Sequence, residues 1–479
     1  MPLQGAAKLS GSFRDPSGFV FTHDSELYRA IASCYEPHFR FAEESGLYAE
    51  LQENGLLVDH TEVADPTTEL SNYRIVKPER IPFVSYPYEW CFSQYRDAAL
   101  HTLEVQRRAL ARGMTLKDAS AYNIQFLDGR PIFIDTLSFE IYDEGKPWAA
   151  YRQFVKHFLA PLALMAKTNA ELAKLMQVNI DGISLQLAAK LLPPRTRLNP
   201  GLVAHVHLHA RAERKYADKP ASAREASLSK RALEGLVANL ANVIRKLRWK
   251  PTRTEWSDYY TDTNYSEEAF EAKRSIVAQY LSQSRARTAW DLGANSGVFS
   301  RIAAKAGIDT VSFDHDIEAV ERSYQQQRVT DEYRHLPLVM DLTTPSPAIG
   351  WAHGERDSLL SRGPTDVVMA LALIHHLTVS NNLPLELIAE YLCRLGRFLI
   401  IEFVPNDDSQ VERLLHNRPP SFSYPSASDF EFAFSRHFEL VRKTPISDSR
   451  RSLFLFRSRI SHNSAGPNHE AFSHSDGVS

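Results

Sequence analysis

Cysteine is scarce in this chain. Cys34, Cys91 and Cys393 are the three among 479 residues, and no two form a CxxC pair. That spacing excludes a disulfide framework and a thiolate zinc site, so no metal is expected and a reducing compartment is the simple reading. A long apolar run is missing too. The greasiest stretch, Phe154 to Ala166, is broken by Lys156, His157 and Pro161, and it falls well short of the roughly 20 residues that cross a bilayer. The opening MPLQGAAKLSGSFRDP carries no apolar core of a secretory signal. We therefore expect a cytoplasmic protein with no membrane insertion. Charge of one sign is also not in excess. Lys and Arg number 55 against 58 Asp and Glu, a formal net charge of −3, which lacks the basic footprint of a protein that holds long nucleic acid.

The length suggests two or three domains at roughly 100–200 residues each. Residues 1–18 are small and polar and read as a flexible start. From Phe19 to about Asp143 short apolar runs alternate with turn signals. Between Phe92 and Arg112 the residues Ala98, Ala99, Thr102, Leu103, Gln106 and Leu110 recur at helical spacing, and Gly113 supplies a stop. Asp128-Gly129 between Asn123–Leu127 and Pro131–Ile134 is a hairpin signal. Residues 148–250 are rich in Ala and Leu and read as a helical part followed by a linker. From Glu267 strands and helices alternate, the pattern of a parallel sheet with crossovers. Residues 461–479 have almost no apolar content and are expected to be disordered. The fold class is α/β, with domains expected at 19–250 and 251–460.

Within the second domain, Thr288-Ala-Trp-Asp-Leu-Gly-Ala-Asn-Ser-Gly297 runs from a strand into a glycine turn and then a helix beginning at Val298. Glycines let backbone approach a ligand, and a helix start offers free N–H groups. Seventeen residues after Gly297, the strand Thr310-Val-Ser-Phe-Asp314 ends in a carboxylate that can accept both ribose hydroxyls of a nucleoside. Leu338-Val-Met-Asp341, 27 residues further on, places another acid to meet an adenine amino group. Two more strand-like runs follow, Thr365–Leu377 and Arg397–Phe403. In an open α/β sheet ligands bind at the carboxyl ends of the strands. The pattern Asp291-x-Gly293-x-x-x-Gly297, with Asp314, Asp341 and Ala370…His376-Leu377, resembles the motifs of Rossmann-like class I S-adenosylmethionine-dependent methyltransferases. The resemblance implies Gly293 and Gly297 beneath the methionine part of S-adenosyl-L-methionine, Asp291 near its amino group, Asp314 on the ribose and Asp341 by the adenine. Asn295 stands where many members carry glycine.

Methyl transfer needs a positioned acceptor and, for a hydroxyl, removal of its proton. His376 is the first candidate base and His375 the second; the alternative is packing or water ordering. Glu402 ends the next strand, where it could orient the acceptor or simply finish the strand. No Asp/Asn-Pro-Pro-Tyr/Phe follows the fourth strand, which disfavours amino-methylation of a nucleic-acid base. Cys393 falls within a helical pattern, away from any nucleophile position. A hydroxyl of a small molecule or glycan is the default acceptor. Trp256-Ser-Asp-Tyr-Tyr260 and Tyr265 could cover the cofactor as a lid or pack on the first helix.

In the first half, Leu116-Lys-Asp118-Ala-Ser-Ala-Tyr-Asn123 has Asp and Asn five positions apart, and Pro131-Ile-Phe-Ile-Asp135 adds a second Asp twelve positions later. This resembles the catalytic loop and metal-binding strand of protein-kinase-like and aminoglycoside-kinase-like folds, implying an α+β kinase-like domain with a helical extension. The match departs where Leu116-Lys117 replaces the usual His-Arg and where Thr136-Leu137 follows Asp135. No Gly-rich phosphate loop stands out, and Lys77 before Pro78 is the nearest candidate for the phosphate lysine. Binding or substrate presentation is favoured, with phosphotransfer, a bifunctional enzyme or a non-catalytic scaffold as alternatives. A turn whose Asp and Asn satisfy local hydrogen bonds is the bland reading. His205-Val-His-Leu-His209 would present alternating histidines on one face of a strand, but no further ligand cluster accompanies it. The whole chain resembles the methyltransferase-like proteins associated with rhizobial nodulation, on the stretches Phe133–Phe139 and Trp148–Phe154. That resemblance implies modification of a secreted signal glycan or its precursor.

Overall fold

The computed structural model describes residues 6–67, 70, 73–215, 227–250, 265–330, 333–416, 418–419 and 422–461. The aromatic segment 256–260 and the tail after Ser461 lie outside these residues. Two compact units are formed, Met1–Asn264 with Trp290–Leu342, and Tyr265–Ala289 with Thr343–Ser479.

In the first unit β1 (Ala6–Lys8), β2 (Gly18–His23) and β3 (Glu26–Ala32) lead to the helices Glu36–Glu44 and Leu47–Glu53, then to β4 (His60–Val63) and β5 (Tyr73–Pro78). The five strands pair antiparallel in the order β1-β2-β3-β5-β4. Residues 6–8 of the start thus join a sheet, with Lys8 lying over the Phe19 ring at 4.6 Å. Phe21, Ala30, Leu70 and Ile75 form the core of this sheet, and Phe21 stacks on Tyr28 at 5.5 Å. Gly18 is needed where it stands, because a Cβ would collide with the carbonyl oxygen of Ala30 across the ladder.

The expected helix runs from Phe92 to Ala111. Its buried Gln106 holds Thr115 Oγ1 at 2.9 Å and accepts from the Leu116 N–H at 2.7 Å. That contact fixes β6 (Met114–Leu116), which pairs with β9 (Phe139–Ile141). Between them β7 (Ile124–Leu127) and β8 (Arg130–Phe133) make the expected hairpin. Asp128 (φ 48°) and Gly129 (φ 70°) both adopt the left-handed conformation that a two-residue turn of this hand requires. The next hundred residues are largely helical, as the Ala/Leu content predicts. In the helix Lys230–Lys246, Leu233, Val237, Leu240 and Ile244 are buried at helical spacing.

A mixed seven-stranded sheet follows. Its strands are β10 (Thr288–Leu292), β11 (Asp309–Asp314), β12 (His335–Val339), β13 (Thr365–Ala370), β14 (Gly396–Phe403), β15 (Phe438–Pro445) and β16 (Ser452–Ser458), in the order β12-β11-β10-β13-β14-β16-β15. β11–β12 and β13–β14 are parallel pairs, and β16 runs antiparallel to β14 and β15. The helices Val298–Lys305, Ile317–Thr330 and Leu385–Leu395 alternate with the strands, which makes the sheet Rossmann-like.

Within the first unit, residues 290–342 share a core with the N-terminal half. Phe83 meets Trp290 and Phe313 edge-on at 5.6 and 5.9 Å. Gln94 Nε2 donates to the Pro337 carbonyl at 2.8 Å. The buried carboxylate of Glu321 accepts from the Ser93 N–H at 2.9 Å and from the Ser93 hydroxyl, so it sits on the first turn of the Phe92–Ala111 helix. A carboxylate there satisfies an orphan donor and meets the positive end of the helix dipole. Glu321→Ala should therefore lower unfolding free energy by about 1–3 kcal/mol in urea titration, whereas loss of the exposed Glu439 should change it by less than about 0.5 kcal/mol.

Candidate functional site

The glycine turn lies in the first unit. β10 ends at Leu292, after which Gly293 (φ 70°), Asn295 (φ 50°) and Gly297 (φ 77°) all take positive φ and the helix begins at Val298. The N–H groups of Gly293 and Ala294 donate to the Phe313 carbonyl at 2.9 and 3.1 Å, fastening the turn to β11. A side chain at Gly297 would strike Ser323 Oγ and His335 Cε1 at 2.7 and 2.8 Å. The turn thus needs glycine both for its backbone angle and for space.

Asp314 closes β11 and is buried. Its Oδ2 accepts from the Asn295 N–H at 2.7 Å and its Oδ1 from the Asp316 N–H at 2.8 Å. Burial raises its pKa, partly offset by those two amides and by His315. Each carboxylate oxygen keeps a second lone pair, so hydroxyl donors remain acceptable. The Met340 N–H donates to the Asp314 carbonyl at 2.8 Å, which brings the segment carrying Asp341 to the end of β11. Asp341 itself lies two residues beyond β12 and is half-buried. Asp291 is buried in β10 and accepts from Ser300 Oγ at 2.5 Å, tying strand to helix. Asp291, Gly293, Asn295, Gly297, Asp314 and the Asp341 segment therefore gather at the carboxyl ends of β10, β11 and β12.

The second unit holds the other candidates. Ala370 ends β13 and is buried, and His375 and His376 follow on the turn with rings 4.1 Å apart. His375 is almost wholly buried, and its Nδ1 has no hydrogen-bond partner among the described residues. Burial, then His376, Arg451 and Lys273, hold its pKa well below the usual imidazole value. His376 is half-buried. Glu402 has no exposed surface. It takes Lys273 Nζ at 2.6 Å, Arg451 Nη1 at 3.3 Å and the Tyr265 hydroxyl. Burial alone would raise its pKa, but the two cations outweigh this and lower it. Arg451 also grips Asp408 through two hydrogen bonds, at 2.7 and 2.9 Å. Tyr265 lies beneath Lys273 and Arg451, whose charges sit 5.0 and 4.7 Å from its ring. Lys273, Asp408 and Arg451 carried no local sequence signal, because they lie far apart along the chain and stand in ordinary helix, loop and strand-end contexts.

In the N-terminal half the structure brings Asp118, Asn123 and Asp135 into one neighbourhood. Asn123 Nδ2 donates to Ser138 Oγ at 3.1 Å, and Ser138 donates in turn to Asp135. Asp118 Oδ1 accepts from the Ser120 N–H at 2.8 Å. Burial, and then the Asp135 charge, raise its pKa. The cation that reaches Asp135 is Arg29 of β3. Lys77, the sequence candidate, lies on β5 and pairs instead with Glu26 at 3.1 Å. Burial would raise the pKa of Asp135, but Arg29 and Ser138 hold it down. Lys117 donates to Ser17 Oγ at 2.7 Å.

The histidine triplet falls in the region read as helical, and the strand geometry that would align its side chains is absent there. His205, His207 and His209 lie on consecutive helical turns rather than a strand, so they do not share one face in alternation. His205 bridges the Tyr151 hydroxyl and Asn239 at 2.8 Å each, His207 meets Thr196 at 3.0 Å and His209 meets Tyr151 at 3.1 Å. The Ala/Leu-rich surroundings and the Asn199-Pro200 start favour a helix there. Among the described residues no group of three or more His, Cys, Asp or Glu could hold a metal ion, and no helix is long and apolar enough to cross a membrane.

No protein-family model matches the chain. It is similar to nodulation protein NoeA of Rhizobium meliloti (strain 1021), with 32% identity over 458 residues that cover 94% of this chain and 96% of that one. Among solved structures it is similar to magnesium protoporphyrin IX methyltransferase (ChlM) from Synechocystis PCC 6803 with bound SAH, at 18% identity and a TM-score of 0.30, over 42% of this chain and 93% of that one. It is also similar to WbdD bound to a kinase inhibitor, at 15% identity and a TM-score of 0.28, over 42% of this chain and 43% of that one. A third likeness is to the N-terminal domain of EvdMO1 with SAH and D-fucose, at 12% identity and a TM-score of 0.29, over 41% and 85%.

Buried neutral histidines set an acid limit. Burial pushes His335, beneath the glycine turn, down to about 3 and His101 down to about 4. Unfolded imidazoles titrate near 6.5, so below that pH the unfolded chain binds more protons than the folded one. Stability is then complete above about pH 6.5 and falls as pH drops toward 4, by up to about 1.4 kcal/mol per pH unit for each such histidine. Urea titrations at pH 7, 6 and 5 should show this slope, and His335→Asn should flatten it.

Proposed function

The chain belongs to the NoeA family of nodulation proteins, and we propose that it is an S-adenosyl-L-methionine-dependent methyltransferase acting on a hydroxyl of a small molecule or glycan. The domain doing so is assigned to residues 251–460. The observation that carries this reading is the 2.7 Å hydrogen bond from the Asn295 N–H to Asp314, which joins the glycine turn to a strand-end acid. The residues fit the cofactor: the positive φ of Gly293 and Gly297 shapes the turn that would carry its methionine part, and Asp291 stands near for the amino group. Asp314 keeps lone pairs for two ribose hydroxyls, and Asp341 serves the adenine. The bound cofactor would supply an electrophilic methyl group on a sulfonium.

The chain's own work is to orient the acceptor and take its proton. His376, half-buried after β13, is the assigned base. His375 stays neutral beside it and is the second candidate base. Glu402 acts through others as a positioning residue: with Lys273 and Arg451 it holds the Tyr265 ring in place.

We assign residues 19–250 to a kinase-like fold that binds or presents a substrate. An antiparallel five-stranded sheet, then a long helix, then Asp118, Asn123 and Asp135 around a hairpin support it. Presentation is favoured over phosphotransfer because Arg29, Ser138 and the Leu137 N–H already occupy the Asp135 carboxylate. A magnesium ion would have to displace the half-buried guanidinium of Arg29.

Calorimetry should show S-adenosylmethionine binding, weakened at least about tenfold by Asp314→Ala. With radiolabelled cofactor and a panel of hydroxyl-bearing glycans, His376→Ala should lower kcat by roughly 10²–10⁴-fold while leaving cofactor affinity unchanged. A wild-type chain that ignores the cofactor defeats the proposal. Mg-ATP should give no magnesium-dependent heat, and Asp135→Ala should lower the melting temperature instead. Tight Mg-ATP binding lost in that variant would establish the phosphotransfer alternative.

A further inference from the structure

Ser300 is the third residue of the helix Val298–Lys305 that follows the glycine turn, and it has no exposed surface. Serine forms helix less readily than alanine, and a buried hydroxyl without a partner is destabilising. Alanine would be the stable choice at this position unless the hydroxyl is used. It is used: Ser300 Oγ donates to Asp291 Oδ2 at 2.5 Å, the short distance of a hydrogen bond to an ionised oxygen.

The strand beneath is fixed from its other side. Trp290, the neighbour of Asp291, meets Phe83 and Phe313 edge-on at 5.6 and 5.8 Å. Successive residues of a strand face opposite ways. β10 therefore presents an aromatic ring to one face and turns the buried Asp291 carboxylate to the other, where the helix starts.

Burial works against a charge on Asp291, whereas a donated hydroxyl and the first turn of a helix work for it. Ser300 thus has two effects on this acid. It favours the ionised form, which an ammonium group requires. It also sets the direction of Oδ1, because a carboxylate is planar and Oδ2 is held. Asp314 is oriented differently, by the backbone amides of Asn295 and Asp316 at 2.7 and 2.8 Å. Asp291 takes a side-chain donor, so its orientation is open to substitution.

We propose that Ser300 is a positioning residue for the cofactor, keeping the Asp291 carboxylate ionised and turned for the amino group of the methionine part. The inference rests on the methyl-transfer reading and on the place of Asp291 within it. It adds a residue that touches neither the cofactor nor the acceptor and acts through Asp291.

The test is calorimetry on the full chain with S-adenosylhomocysteine and with 5′-methylthioadenosine, which keeps the adenosine and the sulfur but has no amino-acid part. Ser300→Ala should weaken S-adenosylhomocysteine about tenfold and change 5′-methylthioadenosine by less than about twofold. Asp291→Asn should show the same split. Retained binding of the truncated ligand shows that the variant is folded, and a purely structural role for the hydroxyl would not separate the two ligands. The inference is overturned, with the methyl-transfer reading left standing, if Ser300→Ala weakens both ligands by the same factor or leaves S-adenosylhomocysteine within about twofold of the parent. A parent chain that binds neither ligand overturns that reading and this inference together.

Discussion

Much of the first unit depends on one buried carboxylate. Glu321 comes from the Ile317–Thr330 helix, yet it completes the first turn of the Phe92–Ala111 helix, 228 positions away in sequence. An ion this deep is tolerated only when its oxygens are well occupied, and Ser93 and Gln325 occupy them. Gln94, Asp97 and Phe83 add contacts on either side. Because the Phe92–Ala111 helix also sets β6 through Gln106, the position of the Asp118–Asn123 loop is linked to the strands that carry Asp291 and Asp314.

Both candidate regions follow a common electrostatic rule. Carboxylates sit deep, and each is compensated by a specific neighbour: Asp314 by two backbone amides, Glu402 by Lys273 and Arg451, and Asp135 by Arg29. The kind of compensation separates their roles. Amide donors leave lone pairs open to a ligand, whereas guanidinium and ammonium partners fill the acceptor and hold scaffold in place. Asp314 is thus suited to receive hydroxyls, and Glu402 and Asp135 to anchor their surroundings.

The sequence made legible what periodicity and turn chemistry encode. The Phe92–Ala111 helix, the Asp128-Gly129 hairpin, the glycine turn and the strand end at Asp314 all stand within a residue or two of where pattern places them, whereas the strand-like run read as Thr365–Leu377 ends at Ala370. Their signals are local, so no tertiary information was needed. Arg29 was invisible because a single arginine in a short strand looks like a surface cation until β3 is placed against Asp135. Lys273, Asp408 and Arg451 were invisible for the same reason: ion pairs across long separations leave no spacing to read. The histidine triplet falls in the region whose Ala/Leu content already reads as helical, after the Asn199-Pro200 start. The sharing of a core between residues 290–342 and the N-terminal half also has no linear signature.

That shared core bears on how such a chain can be inherited. Phe83 wedged against Trp290 and Phe313 means that neither surface is finished alone, since each exposes aromatic area once the other is removed. Recombination that replaced one half with a distant counterpart would leave this seam mismatched. Descent of the two halves as a single heritable block, with paired substitutions at 83, 290 and 313, is the pattern such a seam enforces.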